Sequence, residues 1–207
     1  MKKITILDYG LGNIRSLKNS LRLVTNNVNY YSEDKKENFD ILFLPGVGSF
    51  SKASEILFNN KYSDLIFHAN KREILIIGIC LGMHLLLSKG YEDGESSGLN
   101  FFNGYVDKIP VKNKKLPNIG WRKVKFSDNK NFSFLKKFDN SKFYFVHSYM
   151  SNVNNEESII SHISYDGIKI PSMIFQKNVI GIQFHPEKSG KMGHRLIKNF
   201  LKLGHLT

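Results

Sequence analysis

The sequence predicts an α/β protein with a doubly wound, mostly parallel central sheet that carries an antiparallel extension. In the first half of the chain, short apolar runs alternate with segments whose apolar residues recur at helical spacing. Strands that alternate with helices favour parallel pairing, with helices on both faces of the sheet. In the second half, β-like segments follow one another with few helical segments between them. That change of pattern predicts the antiparallel extension.

The first half alternates strands and helices. Ile14, Leu17, Leu21 and Val24 recur at the spacing of one helix face, so a helix is predicted there. Residues 74–79 form the most apolar run of strand length, which places this strand at the centre of the sheet. The predicted strands are residues 4–8, 28–31, 39–44 and 74–79, and the predicted helices are residues 14–24, 49–58 and 62–70.

The second half contains mostly strand signals. The predicted strands are residues 105–109, 121–126, 143–147, 158–163, 172–175 and 179–184. Gly167 marks a hairpin-type turn, and residues 193–203 have the amphipathic pattern of a closing helix. No linker-like, repeated or low-complexity stretch interrupts the chain, so we expect one domain over residues 1–207.

Composition narrows the class of protein. With 207 residues, 41% of them hydrophobic, the chain can fill a substantial core. No apolar run has the length that spans a bilayer, and the first eight residues do not have the pattern of a signal peptide. A single cysteine excludes an internal disulfide and fits a reducing compartment. We therefore expect a cytoplasmic protein without a membrane partner.

The net charge of +12 has three interpretations. Nucleic-acid binding is one of them, but the lysines are scattered and no stretch interleaves them with aromatic residues as single-strand binders do. A solvated lysine surface is the interpretation that we favour, and we expect no nucleic-acid partner. A basic face for a protein partner or an anionic metabolite stays open.

The only cysteine lies in a pattern that predicts a nucleophile. Cys80 follows the apolar run 74–79 and has Gly78 and Gly82 two residues to either side. This spacing permits a sharp strand-to-helix turn with the side chain exposed at its apex. The first turn of the next helix favours a thiolate through its free N–H groups and its dipole. A small core residue is the alternative, but the glycines and the strand end favour catalysis.

A histidine and a carboxylate follow a later strand. His185 comes directly after the apolar run 179–184, and Glu187 lies two residues further on. Histidine suits general acid–base catalysis near neutral pH, and a carboxylate can hold its second ring nitrogen. A lone histidine at a strand end is usually structural. The presence of Cys80 favours a Cys-His-Glu catalytic set instead.

Glycines after the third predicted strand suggest an oxyanion hole. The segment 45–48 contains Gly46, Val47 and Gly48, which can direct backbone N–H groups toward a developing negative charge. The backbone N–H of Leu81 would be the second donor. An ordinary strand-to-helix turn has the same composition, so this motif is weak when taken alone.

These motifs together resemble one enzyme family. Gly78-Ile79-Cys80-Leu81-Gly82-Met83 with His185-Pro186-Glu187 resembles the class I (triad) glutamine amidotransferases. Within them, the finer resemblance is to the glutaminase subunits of imidazole glycerol phosphate synthase, and it extends over nearly the whole chain. It is carried by Pro117-Asn118-Ile119-Gly120-Trp121, Phe145-Val146-His147-Ser148-Tyr149 and His185-Pro186-Glu187-Lys188-Ser189. The resemblance implies the flavodoxin-like three-layer sandwich of the amidotransferases.

The resemblance also implies a reaction and a substrate pocket. Cys80 would attack the side-chain amide of L-glutamine, His185 would protonate the departing ammonia, and Glu187 would orient His185. Val47, Gly48 and Leu81 would form the oxyanion hole after a flip of the Val47–Gly48 peptide. The residues that would bind the substrate are Gly46, His84, Glu92, His147, Ser148 and Tyr149. No cofactor and no metal are expected.

By the same resemblance, the partner is a (β/α)8-barrel cyclase subunit that forms a heterodimer with this chain. The barrel receives ammonia and makes imidazole glycerol phosphate and AICAR in histidine biosynthesis. Asn13, Trp121 and Lys188 would face the partner. Without the resemblance, Trp121 is equally compatible with a core position. The alternative for Glu92 is a surface acid in a polar loop.

Two departures from the family pattern keep an alternative open. His84 stands where the family has a glutamine that contacts the substrate, and Asn118 stands where the loop usually has a histidine. His84 can still donate or accept a hydrogen bond. The alternative function is a paralogous glutaminase subunit that feeds a sugar amidotransferase in surface-polysaccharide synthesis.

Three further classes are less compatible with the sequence. Cys-His peptidases and amidases usually place the base in another loop and lack the 145–149 segment. The pyridoxal-phosphate-synthase glutaminases have a Gly-Glu-Ser-Thr-Thr stretch that is missing near Pro45. A non-catalytic basic binding module would not need Cys80, His185 and Glu187 together.

Overall fold

The computed structural model describes residues 2–31, 38–127 and 130–203. Its strands are β1 (Ile4–Ile6), β2 (Val28–Tyr30), β3 (Ile41–Gly46), β4 (Leu75–Cys80), β5 (Leu87–Gly90), β6 (Ser96–Ser97), β7 (Phe102–Lys108), β8 (Asn118–Lys123), β9 (Lys125–Phe126), β10 (Lys142–His147), β11 (Tyr149–Val153), β12 (Ile159–Tyr165), β13 (Ile168–Gln176) and β14 (Val179–Ile182). Its α-helices are α1 (Ile14–Arg22), α2 (Phe50–Asn59), α3 (Tyr62–Lys71), α4 (Leu81–Leu85) and α5 (Gly190–Phe200). Short 3-10 segments cover Lys130–Phe138, Glu156–Ser158 and Pro186–Lys188.

The main sheet has eight strands in the order β2-β1-β3-β4-β14-β13-β12-β9. The first five strands pair in parallel. From β14 onward the pairs β14–β13, β13–β12 and β12–β9 are antiparallel. The predicted fold class, a mostly parallel sheet with an antiparallel extension, is therefore confirmed. The predicted turn at Gly167 joins β12 to β13.

Helices cover both faces of this sheet because its strands are apolar on both sides. Along β3, Ile41 and Phe43 belong to the core on one face, whereas Leu42 and Leu44 belong to the core on the other. The amphipathic helices α1 and α5 pack on the first face, and α2 and α3 pack on the second. Strand side chains alternate between the two faces of a sheet, so one strand contributes side chains to both hydrophobic cores.

The antiparallel extension of the main sheet contains fewer strands than predicted. Strands β8 and β10 form a separate antiparallel pair, and β11, β7, β5 and β6 form a four-stranded sheet. β7 alternates buried and exposed residues over Phe102–Val106, as a strand with one solvated face does. Such strands cannot lie inside a sheet that is covered on both sides. The predicted strands 105–109 and 143–147 and most of 121–126 therefore lie outside the main sheet.

The order of the central strands determines where a site can form. β3, β4 and β14 are parallel neighbours, so their carboxyl ends lie side by side. In register, Gly46 lies opposite Cys80, and Ile182 lies opposite Ile79. Three segments that are far apart in the sequence therefore meet at one edge of the sheet, which is where open α/β sheets bind ligands. Over the described ranges, no helix has the length and apolar character to cross a membrane.

Candidate active site

Cys80 occupies a sharp turn between β4 and α4. Its backbone has φ 54° and ψ −110°, a left-handed conformation that is strained for a residue with a Cβ. The two flanking glycines make the turn sterically feasible. A Cβ at Gly78 would lie 2.6 Å from the carbonyl oxygen of Gly82, and a Cβ at Gly82 would overlap the carbonyl oxygen of Leu44. The thiol is less exposed than predicted, with 7% of the residue accessible, because it lies at the floor of a pocket.

His185 and Glu187 form a buried pair beside this turn. His185 Nδ1 lies 2.7 Å from Glu187 Oε1, and both side chains are almost completely buried. The backbone around His185 is fixed as well. Its N–H donates to the carbonyl of Tyr144 at 2.9 Å, and the Ser189 hydroxyl donates to its carbonyl at 2.6 Å. The imidazole therefore has one orientation, with Nδ1 bound to the carboxylate and Nε2 left for another partner.

Electrostatics favour a protonated His185. Burial disfavours the imidazolium, but the interactions with Cys80 and Glu187 outweigh burial and raise the pKa of His185 to about 10. Nε2 is buried and makes no well-aligned hydrogen bond among the described residues. The thiol is the group whose interaction raises the pKa from that side of the ring. This arrangement can hold a thiolate–imidazolium pair.

The predicted oxyanion segment borders Cys80. The Val47 N–H donates to the carbonyl of Leu11 at 3.3 Å, so it does not point to the thiol in this conformation. Gly48 has φ +109°, a value that strains any residue with a side chain. Leu81 is the first residue of α4, and its N–H has no partner within that helix. The Leu81 N–H also has no backbone acceptor elsewhere in the described part of the chain, so it can act as a donor, and the 46–48 segment has the glycine needed to reorient.

A cavity of about 290 Å³ opens above these groups. Its volume suits a small metabolite. It is lined by Val47, Gly48, Cys80, Leu81, His84, Glu92, Pro117, Val146, His147, Ser148, Tyr149 and His185. Most of the residues predicted for catalysis, the oxyanion hole and substrate binding therefore meet in one place. Gly46 and Glu187 lie behind the wall, and Asn13, Trp121 and Lys188 lie outside it.

Comparisons with known proteins agree with this geometry. The family model described as glutamine amidotransferase class-I matches residues 5–203. The chain is 41% identical over 200 residues to the imidazole glycerol phosphate synthase subunit HisH of Caldanaerobacter subterraneus subsp. tengcongensis, with 95% of this chain and 96% of that protein covered. The chain belongs to the class I glutamine amidotransferase family. It is also 40% identical over 204 residues to HisH of Lactococcus lactis subsp. lactis, with 98% and 99% covered.

Solved structures share the fold of this amidotransferase. PurLQS from Thermotoga maritima has a TM-score of 0.73 at 20% identity, with 98% of this chain and 100% of that chain covered. A structure described as a glutamine amidotransferase has a TM-score of 0.74 at 16% identity, with 96% and 97% covered. The resemblance drawn from the motifs is thus confirmed at the level of the family, with HisH subunits among its similar relatives.

Glu92 connects the amidotransferase pocket to helix α2. Its Oε2 accepts the backbone N–H of Phe50, the first residue of α2, at 2.8 Å. Burial raises the pKa of Glu92, and this hydrogen bond opposes the shift. The acid lines the pocket rather than a solvated loop, so its second oxygen can meet a cationic group of a ligand.

His84 is held by a residue that sequence reasoning missed. Its Nε2 lies 2.7 Å from Oε1 of the fully buried Gln183. Burial lowers the pKa of His84 to about 4, so the ring is neutral at pH 7. Gln183 lies in the predicted strand 179–184, and the signal was a carboxamide at the end of an otherwise apolar strand.

His147 is held by a second missed residue. The Asn118 Nδ2 donates to His147 Nε2 at 2.9 Å, and His147 Nδ1 donates to the carbonyl of Tyr149 at 2.8 Å. Asn118 Oδ1 in turn accepts Arg122 Nε at 2.8 Å. Burial lowers the pKa of His147 to about 4. The signal for Asn118 was its departure from the family loop, whose histidine it replaces.

The residues predicted to face a partner lie at the surface, and two of them, Trp121 and Lys188, lie against the same ring. Trp121 is 48% exposed, so it is not a core residue. Its ring contacts Tyr144 edge-on at 6.1 Å between centroids, and the Lys188 ammonium lies 5.9 Å from the Tyr144 ring. Asn13 begins α1, where its side chain accepts the Ser16 N–H at 3.3 Å. Among the described residues, no three His, Cys, Asp or Glu side chains form a cluster that could hold a metal ion.

Proposed function

We propose that this chain hydrolyses L-glutamine to glutamate and ammonia, with Cys80 as nucleophile, His185 as general acid and base, and Glu187 as the residue that orients His185. The observation that carries the proposal is that three features meet at the carboxyl ends of neighbouring strands. Cys80 and His185, which is held by Glu187 at 2.7 Å, line one pocket of metabolite size. A cysteine nucleophile paired with a carboxylate-held histidine is one arrangement that performs amide hydrolysis through an acyl-enzyme.

The geometry suggests the following steps. The Cys80 thiolate attacks the amide carbon of glutamine, and the negative charge moves onto the amide oxygen. The backbone N–H groups of Leu81 and Gly48 bind that oxygen after the Val47–Gly48 peptide reorients. His185 gives its proton to the amide nitrogen, which leaves as ammonia, and a thioester remains. His185 then takes a proton from water, and the hydroxide hydrolyses the thioester to glutamate and regenerates the thiolate.

Substrate recognition follows from the polarity of the pocket walls. The carboxylate of Glu92 suits the α-ammonium group of glutamine. Ser148 and Tyr149 line the cavity and supply hydroxyl and backbone groups, whereas His147 lines it with both ring nitrogens bound to Asn118 and Tyr149. His84 completes the proposed contacts, whereas the predicted Gly46 does not line the cavity. His84 and His147 are neutral at pH 7, so among the proposed recognition residues Glu92 supplies the charge that suits an amino acid.

We assign the ammonia to a (β/α)8-barrel cyclase subunit that makes imidazole glycerol phosphate and AICAR in histidine biosynthesis. Identity of about 40% to HisH proteins over nearly the whole chain supports this acceptor over a sugar. Trp121 and Lys188, both exposed and packed against the half-buried Tyr144, offer an aromatic and cationic surface for that subunit. Ammonia that leaves directly into a partner avoids protonation by bulk water.

The deciding experiment replaces the nucleophile. Cys80→Ser is expected to abolish glutamate release from glutamine in the presence of the barrel subunit, while it keeps the fold and binds that subunit. His185→Gln is expected to lose at least about 100-fold in kcat, since general acid–base catalysis contributes that much. His162→Gln is the matched control, because His162 is a half-buried histidine on β12, outside the pocket. Appreciable turnover by Cys80→Ser would refute the assignment.

A further inference from the structure

Gln183 is a fully buried polar residue that has no role in the steps above. It lies between β14 and His185, and its backbone N–H donates to the carbonyl of Ser172 at 3.0 Å. Its side chain contacts two residues of the pocket wall. The carboxamide oxygen Oε1 lies 2.7 Å from His84 Nε2, and the nitrogen Nε2 lies 3.9 Å from Cys80 Sγ.

The contact with His84 decides which end of the carboxamide faces the sulfur. Because Oε1 of Gln183 can only accept a hydrogen bond, Nε2 of His84 carries the proton in this arrangement. Once Oε1 is held there, the NH2 group is directed to Cys80. The neutral imidazole has a single N–H, and that N–H is committed to Gln183.

The groups that face Cys80 suit different forms of its sulfur. The carbonyl oxygen of Val146, 3.9 Å from Sγ, can accept the S–H of a thiol. The NH2 group of Gln183 can donate to a thiolate, and a donor beside an anion stabilises it. A carboxamide turned the other way would direct a second carbonyl oxygen at the sulfur and would disfavour the thiolate.

We propose that Gln183 is a positioning residue that stabilises the thiolate of Cys80, and that His84 fixes the orientation of its carboxamide. The inference rests on the proposed role of Cys80 as the nucleophile. It gives His84 a task besides contact with the substrate. The His84 side chain acts on the Cys80 sulfur through two contacts, one from His84 to Gln183 and one from Gln183 to Cys80.

The alkylation rate of Cys80 by iodoacetamide tests this inference, because the chain has one cysteine and the readout needs no glutamine turnover. The rate is measured against pH on the folded protein. Gln183→Met keeps the volume and removes the donor, and His84→Leu removes the N–H that orients it. Both are expected to shift the profile to higher pH by about one unit, which is tenfold less thiolate at a given lower pH. His84→Gln keeps an NH2 donor and is expected to retain the wild-type profile.

A matched control separates this effect from the general loss of a buried hydrogen bond. Ser161→Ala removes the buried hydroxyl contact with Ser172 at 2.8 Å, away from the pocket, and should leave the profile unchanged. Circular dichroism establishes folding, and if Gln183→Met does not fold, the His84→Leu and His84→Gln pair decides. Wild-type profiles in the folded Gln183→Met and His84→Leu variants would overturn the inference. The Cys80→Ser assay of glutamine hydrolysis would be unaffected by that result.

Discussion

His84 and His147 are buried with neutral rings, and this makes the folded state sensitive to acid. Burial lowers the pKa of each to about 4, compared with about 6.5 in an unfolded chain. A lowered pKa means that the unfolded chain binds more protons between these values. The stability that each neutral histidine contributes is present above pH 6.5 and is lost as the pH falls toward 4.

We expect the free energy of unfolding to fall by roughly 3 kcal/mol per histidine between pH 7 and pH 4. Urea denaturation at a series of pH values measures it. Carboxylates also titrate in this range, so the informative quantity is the difference between wild type and His84→Gln. On acidification from pH 7 to pH 4, the free energy of unfolding of His84→Gln should fall by roughly 3 kcal/mol less than that of the wild type. Parallel curves for the two proteins would contradict the assignment of a neutral, buried His84.

Gly82 is required at the Cys80 turn for a steric reason. A Cβ there would overlap the carbonyl oxygen of Leu44, which belongs to β3 and cannot move aside as a flexible side chain would. We expect Gly82→Ala to destabilise the protein by roughly 3 kcal/mol or more, measured by urea denaturation. Gly12→Ala is the control, because its Cβ would approach Ile14 Cγ2 at 3.3 Å and only side-chain atoms of Pro45 beyond that. Similar losses in both variants would contradict the steric argument.

At the scale of elements, the β8–β10 pair holds one wall of the pocket. Asn118 on β8 lies in register with His147 on β10, and their side chains are hydrogen bonded. Residues on β8 alternate between more buried and more exposed positions. Asn118 is fully buried, whereas its neighbour Ile119 is 52% exposed. The strand that presents Trp121 to solvent therefore also supports a predicted substrate-binding histidine.

Asn118→Ala is expected to lower the free energy of unfolding by about 1–3 kcal/mol, because it leaves His147 Nε2 buried without its donor. Glutamine affinity, measured by calorimetry in the Cys80→Ser background, should fall as well. Ile119→Ala is the matched control on the same strand and should change the stability by less than about 0.5 kcal/mol. An Asn118→Ala protein with wild-type stability and affinity would show that the wall does not depend on this hydrogen bond.

Elements were predictable where periodicity and length agreed. Helix α1 was predicted over residues 14–24 and ends at Arg22, and the central strand was predicted within one residue. The elements after Cys80 could not be predicted in this way. Leu85, Leu86 and Leu87 are all buried, so their sequence shows neither helical nor strand periodicity. The helix stops at Leu85, and β5 begins at Leu87.

The site was predictable in its motif residues and not in the residues that support them. Cys80, His185 and Glu187 carry local signals in the glycines and in the strand ends. The signals for Gln183 and Asn118 do not say what these side chains bind, because their partners His84 and His147 come from segments 99 and 29 residues away. Burial of a carboxamide depends on the tertiary packing, which a single sequence does not specify.

At the scale of the whole molecule, the oxyanion segment and the exposed aromatic surface predict control by the partner. The proposed oxyanion hole forms only after the Val47–Gly48 peptide reorients, so we expect low glutaminase activity from the isolated chain. The barrel subunit should raise kcat by about 100-fold or more, since one oxyanion donor contributes about that much. Steady-state glutamate release with and without the partner measures this.

Two variants test the route of this activation. Trp121→Ala should weaken the stimulation, because Trp121 is a large exposed aromatic in the proposed contact surface. Leu23→Ala is the control, because Leu23 is 72% exposed just beyond the end of α1, outside that group. Full turnover by the isolated chain would contradict activation by the partner.

The left-handed backbone at Cys80 has a consequence for the history of such a chain. A non-glycine residue in this conformation carries strain of roughly 1–3 kcal/mol, which only its chemistry justifies. A lineage that no longer needed ammonia from this pocket would be under selection for stability alone. Glycine at this turn would then be favoured, since it relieves the strain. The nucleophile would therefore be among the first residues that such a lineage discards.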